Sequence, residues 1–301
     1  MMEPKYLKQG DKVAIVSTAR KISKKEIAQA VKVFKEWGLI VVLGENIFKS
    51  CNQFAGTDQE RLSDLQQMLD DKSIKAIICS RGGYGTVRII DKLNFDKFIE
   101  NPKWIVGYSD ITVLHSKINK LNIESIHATM PINFSESSED NESVVSLKKA
   151  LFGEQIKYEF KAHKFNKVGT VNAPIVGGNL SILYSLRGTS VDIDTDNKIL
   201  FIEDLDEYLY HIDRMMQNLK LGNKLKNLKG LIVGGMCDMN DNTIPFGKTA
   251  YEIINDVVAE YDYPVCYNFS AGHIKQNFAL IMGREINLKI DNLQTTVEFD
   301  R

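Results

Sequence analysis

The stretch KVAIVSTARKISKKEIAQAVKVFKEWGLIVVLG (residues 12–44) combines two kinds of hydrophobic periodicity. Its two ends, 12–17 and 39–44, are continuous apolar runs of strand length. Between them, Ser23 and Glu26 have the spacing of a capping box, and apolar residues then recur at helical spacing. The stretch therefore predicts a strand, a helix and a second strand that runs parallel to the first.

The same alternation continues through the first half of the chain. Thr57 and Glu60 repeat the capping-box spacing ahead of a second apolar helix face. Two further apolar runs, IKAIICS (74–80) and WIV (104–106), are each followed by glycine-containing turns. Strands separated by helices of this length predict a parallel sheet over residues 1–134, with ligands at the carboxyl ends of its strands.

Residues 135–168 lack this alternation. They are polar and acidic at first and basic near their end, which predicts a surface connection between two domains. Residues 169–301 resume with mixed strand and helix signals and end in β character. We therefore expect a smaller, β-rich α+β domain in this second half.

The composition narrows the class of protein. Of the 301 residues, 44% are apolar and 26% charged, which is typical of a globular chain with a substantial core. The net charge of −1 provides no overall basic field for nucleic acid or anionic lipid. The N-terminus lacks the apolar core of a signal peptide, and the four cysteines are widely spaced. We expect a cytoplasmic protein without a zinc site, a disulfide framework or a membrane span.

The segment KWIVGYSDIT (103–112) places Ser109 on the corner between a predicted strand and a predicted helix. One interpretation is a turn in which Ser109 caps the helix. The other is a nucleophile whose hydroxyl is held clear of the backbone, beside N–H groups that stabilise an oxyanion. The spacing differs from the G-x-S-x-G motif, because Ile111 occupies the last glycine position. The segment alone leaves both interpretations open.

A second loop, SRGGYG (80–85), follows a predicted strand and has three glycines in four positions. Glycines allow backbone amides to approach an anion closely. The loop matches neither the Walker pattern nor G-x-G-x-x-G, so a plain tight turn is the alternative interpretation.

A serine nucleophile needs a base, and a histidine base needs a carboxylate to orient it. Among the five histidines, His273 lies in a glycine-containing turn after a predicted strand, where catalytic residues are often found. Glu203 comes at the end of the apolar run in LFIEDLDEY, first after the predicted strand. Asp110 is adjacent to Ser109, and a helix cap is the simple interpretation of its carboxylate.

Taken together and in this order, the short motifs of the chain resemble the LD-carboxypeptidase family of serine peptidases. The family includes muramoyltetrapeptide carboxypeptidases and microcin-immunity peptidases. The matching segments extend from about residue 10 to residue 285, and they are FAGTDQERLSDL (54–65), SRGGYG (80–85), GYSDIT (107–112), GGNLSIL (177–183), FIEDLDE (201–207), YHIDRMM (210–216), the GH pair ending at His273, Asn277 and Gly283.

The resemblance implies a flavodoxin-like N-terminal domain that carries the nucleophile and a C-terminal domain that carries the acid and the base. By motif, the family's Ser–Glu–His triad corresponds to Ser109, Glu203 and His273, in the cleft between the domains. Its oxyanion hole corresponds to the backbone N–H groups of Gly83 and Asp110. The resemblance also implies a metal-free reaction without a cofactor, and a homodimer.

The implied reaction is release of terminal D-alanine from a murein tetrapeptide during cytoplasmic recycling. A carboxypeptidase should hold the terminal carboxylate with a cation, and Arg81 and Lys275 are the candidates in loops near the site motifs. One departure concerns the loop that begins in VSTAR (16–20), where many members have a proline–serine pair. The contacts made by that loop are therefore open.

Three alternatives remain at this point. The same fold could cleave a peptidyl–adenylate amide, as microcin-immunity relatives do. Cys79, at the end of a predicted strand, could act as a thiol nucleophile with a histidine. The chain could also be a non-catalytic ligand-binding protein of two lobes, in which Ser109 is only a cap.

Overall fold

The computed structural model of the chain describes residues 1–135 and 141–300. It contains two compact units. The first unit comprises Met1–Glu154 together with Phe278–Ile281, and the second comprises Gln155–Asn277 together with Met282–Arg301.

The first unit is built on a sheet of six strands. With strands numbered along the whole chain, they are β1 (Lys12–Val16), β2 (Ile40–Leu43), β3 (Ile74–Cys79), β4 (Trp104–Gly107), β5 (Ser125–His127) and β11 (Leu280–Met282). Their order is β2-β1-β3-β4-β5-β11, and the first five strands pair in parallel. The order 2-1-3-4-5 is that of a flavodoxin-like sheet, so the expected fold class is confirmed.

Five helices accompany this sheet in the described residues, and the first two begin at the capping boxes that the sequence predicts. They are α1 (Lys24–Glu36), α2 (Asp58–Asp70), α3 (Asp96–Glu100), α4 (Thr112–Lys120) and α5 (Glu142–Phe152). Both predicted capping boxes form, with Ser23 and Thr57 each accepting from the backbone N–H three residues later. These reciprocal hydrogen bonds satisfy N–H groups that have no partner inside the helix, and so they fix where each helix starts.

The second unit contains a mixed sheet of seven strands. They are β6 (Lys157–Lys161), β7 (Gly169–Asn179), β8 (Ile199–Leu205), β9 (Gly230–Cys237), β10 (Val265–Cys266), β12 (Glu285–Ile290) and β13 (Gln294–Phe299). In the order β10-β9-β8-β7-β12-β13-β6, the strands from β10 to β7 are parallel and the rest pair in antiparallel fashion. Three helices complete the unit: α6 (Leu180–Ser185), α7 (Leu209–Leu221) and α8 (Ala250–Val258). A cluster of buried apolar side chains packs between α7, α8 and the parallel strands.

The segment 135–168 differs from its prediction as a surface connection. It holds α5, which belongs to the first unit, and β6, which forms an edge of the second sheet. The division between the units falls after Glu154. The segment is polar in composition because its helix buries only one apolar stripe and its edge strand buries only alternate residues. This is why neither element was predicted. Residues 136–140 of this segment lie outside the described part of the chain.

None of the helices in the described ranges combines the length and the apolar character that crossing a bilayer requires.

Candidate functional site

Ser109 lies at the sharp corner that follows β4. Its φ of 65° is in the left-handed region, where a residue with a side chain is strained by roughly 1 kcal/mol or more. A short 3₁₀ turn, Ser109–Ile111, leads from this corner into α4. No side chain caps either of these elements, so Ser109 does not act as a helix cap here. Strain of this kind is typical of a nucleophile elbow, which exposes the hydroxyl.

The glycine loop after β3 packs directly against this corner. A Cβ placed on Gly82 would lie 2.8 Å from Ser109 Cβ, 2.9 Å from its Oγ and 3.4 Å from the backbone nitrogen of Asp110. Any residue larger than glycine would therefore collide with the serine. The neighbouring Gly83 is exposed and has a φ of 115°, a conformation that glycine adopts without strain.

Two buried charged side chains fasten this loop to the rest of the first unit. The Asp110 carboxylate accepts a hydrogen bond from the Thr86 backbone N–H at 2.9 Å, and its burial raises its pKa. The Arg61 guanidinium donates to the carbonyl oxygens of Thr18 and Gly85, at 2.6 and 2.9 Å. The glycine loop is thus held from both sides.

Arg61 is not among the site residues predicted from the sequence, although a signal for it exists. Arg61 lies four residues before Leu65, on the apolar face of α2, and its side chain is fully shielded from solvent. A charged residue at a core-facing position is a reason to look for buried carbonyl partners. For Asp110, the alternative interpretation as a helix cap is wrong, because its carboxylate bonds to the loop instead.

A buried histidine, His115, is hydrogen-bonded to the backbone just before the serine corner. His115 Nε2 lies 2.8 Å from the carbonyl oxygen of Gly107, and its Nδ1 lies 2.8 Å from Ser125 Oγ. Because a carbonyl only accepts, Nε2 carries the hydrogen and the Ser125 hydroxyl donates to Nδ1. Burial lowers the pKa of His115 to about 4, so the ring is neutral at pH 7. Since both ring nitrogens are engaged, His115 is not placed to act as a base.

We expect His115→Gln to weaken the acid sensitivity of the fold. An unfolded histidine has a pKa of roughly 6.5, whereas that of His115 in the folded chain is about 4. The unfolded state therefore binds the proton more readily between these values, and stability is lost as the pH falls through them. Between pH 8 and pH 5 this loss amounts to about 2 kcal/mol for the native chain. Urea unfolding at both pH values should show that the variant lacks this component; an identical pH dependence in both proteins would contradict the assignment.

In the second unit, Glu203 and His273 form a hydrogen-bonded pair. Glu203 Oε2 lies 2.7 Å from His273 Nδ1 and 3.3 Å from the His273 backbone nitrogen. The Glu203 side chain is fully buried, and the residue lies inside β8 rather than first after it, which corrects the sequence-based placement. Gly272, with a φ of 104°, allows this contact because a Cβ there would lie 2.7 Å from Glu203 Oε2.

The electrostatic surroundings favour the protonated form of His273. Burial by itself would lower the pKa of His273, but its hydrogen bond to Glu203 and the charges of Glu203 and Asp204 outweigh it and raise the pKa. Asp204 is itself buried, and burial together with the Glu203 charge raises its pKa to about 7. Its carboxylate accepts from Asn179 Nδ2 and from the backbone N–H of Ser181, at 2.9 and 2.8 Å.

The remaining candidates are placed less favourably for chemistry. Arg81 Nη1 lies 3.9 Å from Glu26 Oε1 and donates to the carbonyl oxygen of Lys21 at 3.3 Å. Lys275 is exposed. Cys79 is fully buried, and burial raises the pKa of its thiol to about 12, which makes it a poor nucleophile. Within the described ranges, no cluster of three or more histidine, cysteine or acidic side chains could hold a metal ion.

The predicted site residues thus fall into two groups, one in each unit. In the first unit, Ser109 and Asp110 lie against the glycine loop that contains Gly83. In the second unit, Glu203 and His273 are hydrogen-bonded. The first group offers a strained hydroxyl beside backbone amides, and the second offers an oriented imidazole.

Comparisons with known proteins find relatives over almost the whole chain. Family models described as the LD-carboxypeptidase N-terminal and C-terminal domains match residues 13–128 and 172–288. A probable murein peptide carboxypeptidase of Bacillus subtilis is 33% identical, over 98% of this chain and 94% of the relative.

Two solved structures share the fold. The muramoyltetrapeptide carboxypeptidase of Oxalobacter formigenes has a TM-score of 0.88 at 24% identity and covers 96% of this chain and 99% of its own. The microcin C7 self-immunity protein, in complex with aspartyl sulfamoyl adenosine, has a TM-score of 0.86 at 22% identity, with 99% and 98% covered.

Proposed function

Because the chain belongs to the LD-carboxypeptidase family, we propose that it hydrolyses the L,D-peptide bond before the terminal D-alanine of a murein tetrapeptide. The substrate class is supported by the name of the Bacillus subtilis relative, which is similar over nearly the whole chain. In this proposal the enzyme works in the cytoplasm, as a homodimer, in the recycling of cell-wall peptides. Its ligand is a small peptide, with no role for nucleic acid or membrane, consistent with the net charge of −1.

The proposed reaction is acyl transfer through Ser109. Its Oγ attacks the scissile carbonyl carbon while the hydroxyl proton passes to His273 Nε2. The backbone N–H groups of Gly83 and Asp110 donate to the resulting oxyanion. When the tetrahedral intermediate collapses, His273 returns the proton to the leaving amino group of D-alanine. Water then hydrolyses the acyl-enzyme, again with His273 as the base.

The observation that carries this proposal is the 2.7 Å contact between Glu203 Oε2 and His273 Nδ1. A buried carboxylate on Nδ1 keeps the hydrogen on that nitrogen and leaves Nε2 as the basic one. It also stabilises the imidazolium that forms during attack. A histidine so oriented, within a family of peptidases, is better suited to proton transfer than to a purely structural role.

A substrate panel tests the proposal. The purified protein should release D-alanine from the tetrapeptide L-Ala-γ-D-Glu-meso-diaminopimelyl-D-Ala, or from its L-lysine analogue, in the presence of EDTA. The matched peptide that ends in L-alanine should be hydrolysed far more slowly, because the proposed site recognises the D configuration. A peptidyl–adenylate amide forms the third arm. Cleavage of that compound without release of D-alanine would replace the proposed substrate and keep the chemistry.

A further inference from the structure

The loops that follow β1 and β3 flank the point where the first sheet reverses its strand order. From β1 the chain continues to β2 on one side of the sheet, and it then returns to β3 on the other side. In open α/β sheets, ligands bind in the crevice that such a reversal leaves at the carboxyl ends of the strands. Arg20 lies in the loop after β1, and the glycine loop 80–85 follows β3.

Arg20 is held against the glycine loop. Its backbone N–H donates to the carbonyl oxygen of Gly82 at 3.4 Å. The aliphatic stem of Arg20 lies on Gly83, where any side chain at position 83 would overlap Arg20 Cγ and Cδ. Because Gly82 also touches Ser109, only two glycines separate the stem of Arg20 from the serine corner.

The other arginines around this loop already have partners. Arg61 is buried and donates to backbone carbonyls, Arg81 faces Glu26, and Arg88 is paired with Asp58 at 2.8 Å. The Arg20 guanidinium is exposed, and it makes no ion pair or hydrogen bond with another residue in the described parts of the chain. Its stem is therefore held against the glycine loop beside the serine corner, and its charge has no anionic partner among the described residues.

We infer that Arg20 binds the C-terminal carboxylate of the peptide, an inference that rests on the proposed function. In a carboxypeptidase substrate only three bonds separate the scissile carbonyl carbon from the terminal carboxylate carbon, a span of about 4 Å. The cation that binds this group must therefore lie close to the oxyanion site. A guanidinium offers two parallel N–H groups that match the two carboxylate oxygens. Arg20 takes the role for which Arg81 and Lys275 are the candidates in the sequence.

The test separates binding from turnover by using the Ser109→Ala protein. We measure Kd by calorimetry for the tetrapeptide and for its C-terminal amide, with and without Arg20→Gln. Ser109→Ala should bind the free acid more tightly than the amide. Adding Arg20→Gln should weaken binding of the acid by about 10- to 100-fold, since a charge-assisted hydrogen-bonded pair is lost. Binding of the amide should change little, and Arg20→Lys should restore part of the preference for the acid.

Three further variants sharpen the result. Lys32→Gln removes the same unit of charge from an exposed face of α1, so it should leave the preference for the acid intact. Arg81→Gln and Lys275→Gln test the competing cations. The inference is overturned if Arg20→Gln keeps the preference for the acid, or if one of these two variants abolishes it instead. If the native protein releases no D-alanine but the preference still depends on Arg20, the proposed reaction fails while the carboxylate site stands.

Discussion

Replacing Ser109 with alanine is expected to lower kcat/KM for D-alanine release by about 10³-fold or more, since the variant has no nucleophile. Position 109 has a left-handed backbone, and alanine keeps the Cβ that strains it. The alanine variant should therefore unfold at nearly the same temperature as the native protein. Release of D-alanine at the native rate would remove Ser109 from the mechanism.

A second substitution at the same position distinguishes strain from chemistry. Glycine adopts a φ of 65° readily, so Ser109→Gly should be more stable than Ser109→Ala by about 1 kcal/mol. Both variants should be equally inactive. Cys79→Ala is the matched control for the thiol alternative, and it should retain activity because the buried thiol is a poor nucleophile.

Replacing Glu203 with glutamine is expected to lower kcat by about 10³- to 10⁴-fold, by analogy with the loss of the acid in other triads. The amide no longer fixes the tautomer of His273, and it carries no charge to stabilise the imidazolium. The hydrogen bond and charge of Glu203 raise the pKa of His273 in the native protein. Since the reaction needs neutral His273, the acidic limb of the kcat/KM profile should move to lower pH in the variant.

The pH profile distinguishes this role from a purely structural one. A variant that only perturbs packing would lose activity without shifting the acidic limb. Asp194→Asn is the matched control, because it neutralises an exposed carboxylate shortly before β8, one that is paired with Lys198. Its activity should stay within about threefold of native, as expected for an exposed ion pair. An unshifted acidic limb in Glu203→Gln would argue against Glu203 as the partner of the catalytic base.

Local sequence signals predicted the first strands and helices of the first unit well, because these features are encoded within a few residues. The capping boxes at Ser23 and Thr57 depend on side chains three positions apart, and the apolar runs of β1 and β3 are continuous. Such short-range signals can be recognised in the sequence without knowledge of the tertiary structure.

Features that depend on distant partners were harder to predict. Glu203 was expected just after its strand, but it lies inside β8 because His273, 70 positions later, provides the hydrogen bonds that allow a buried carboxylate. Arg61 was overlooked for the same reason, since its carbonyl partners belong to loops after β1 and β3. Helix α5 and strand β6 were hidden because each buries only part of its surface.

The strand β11 lies beside β5 in the first sheet, although it comes from residue 280 onward. The polypeptide accordingly leaves the first unit after Glu154, re-enters it at Phe278, and leaves again after Ile281. A truncated chain that stopped at Glu154 would leave the backbone groups along β5 without a neighbour, open to pairing with other molecules. The segment that covers this edge begins five residues after His273. During synthesis, the strand that completes the first sheet is therefore made directly after the proposed base.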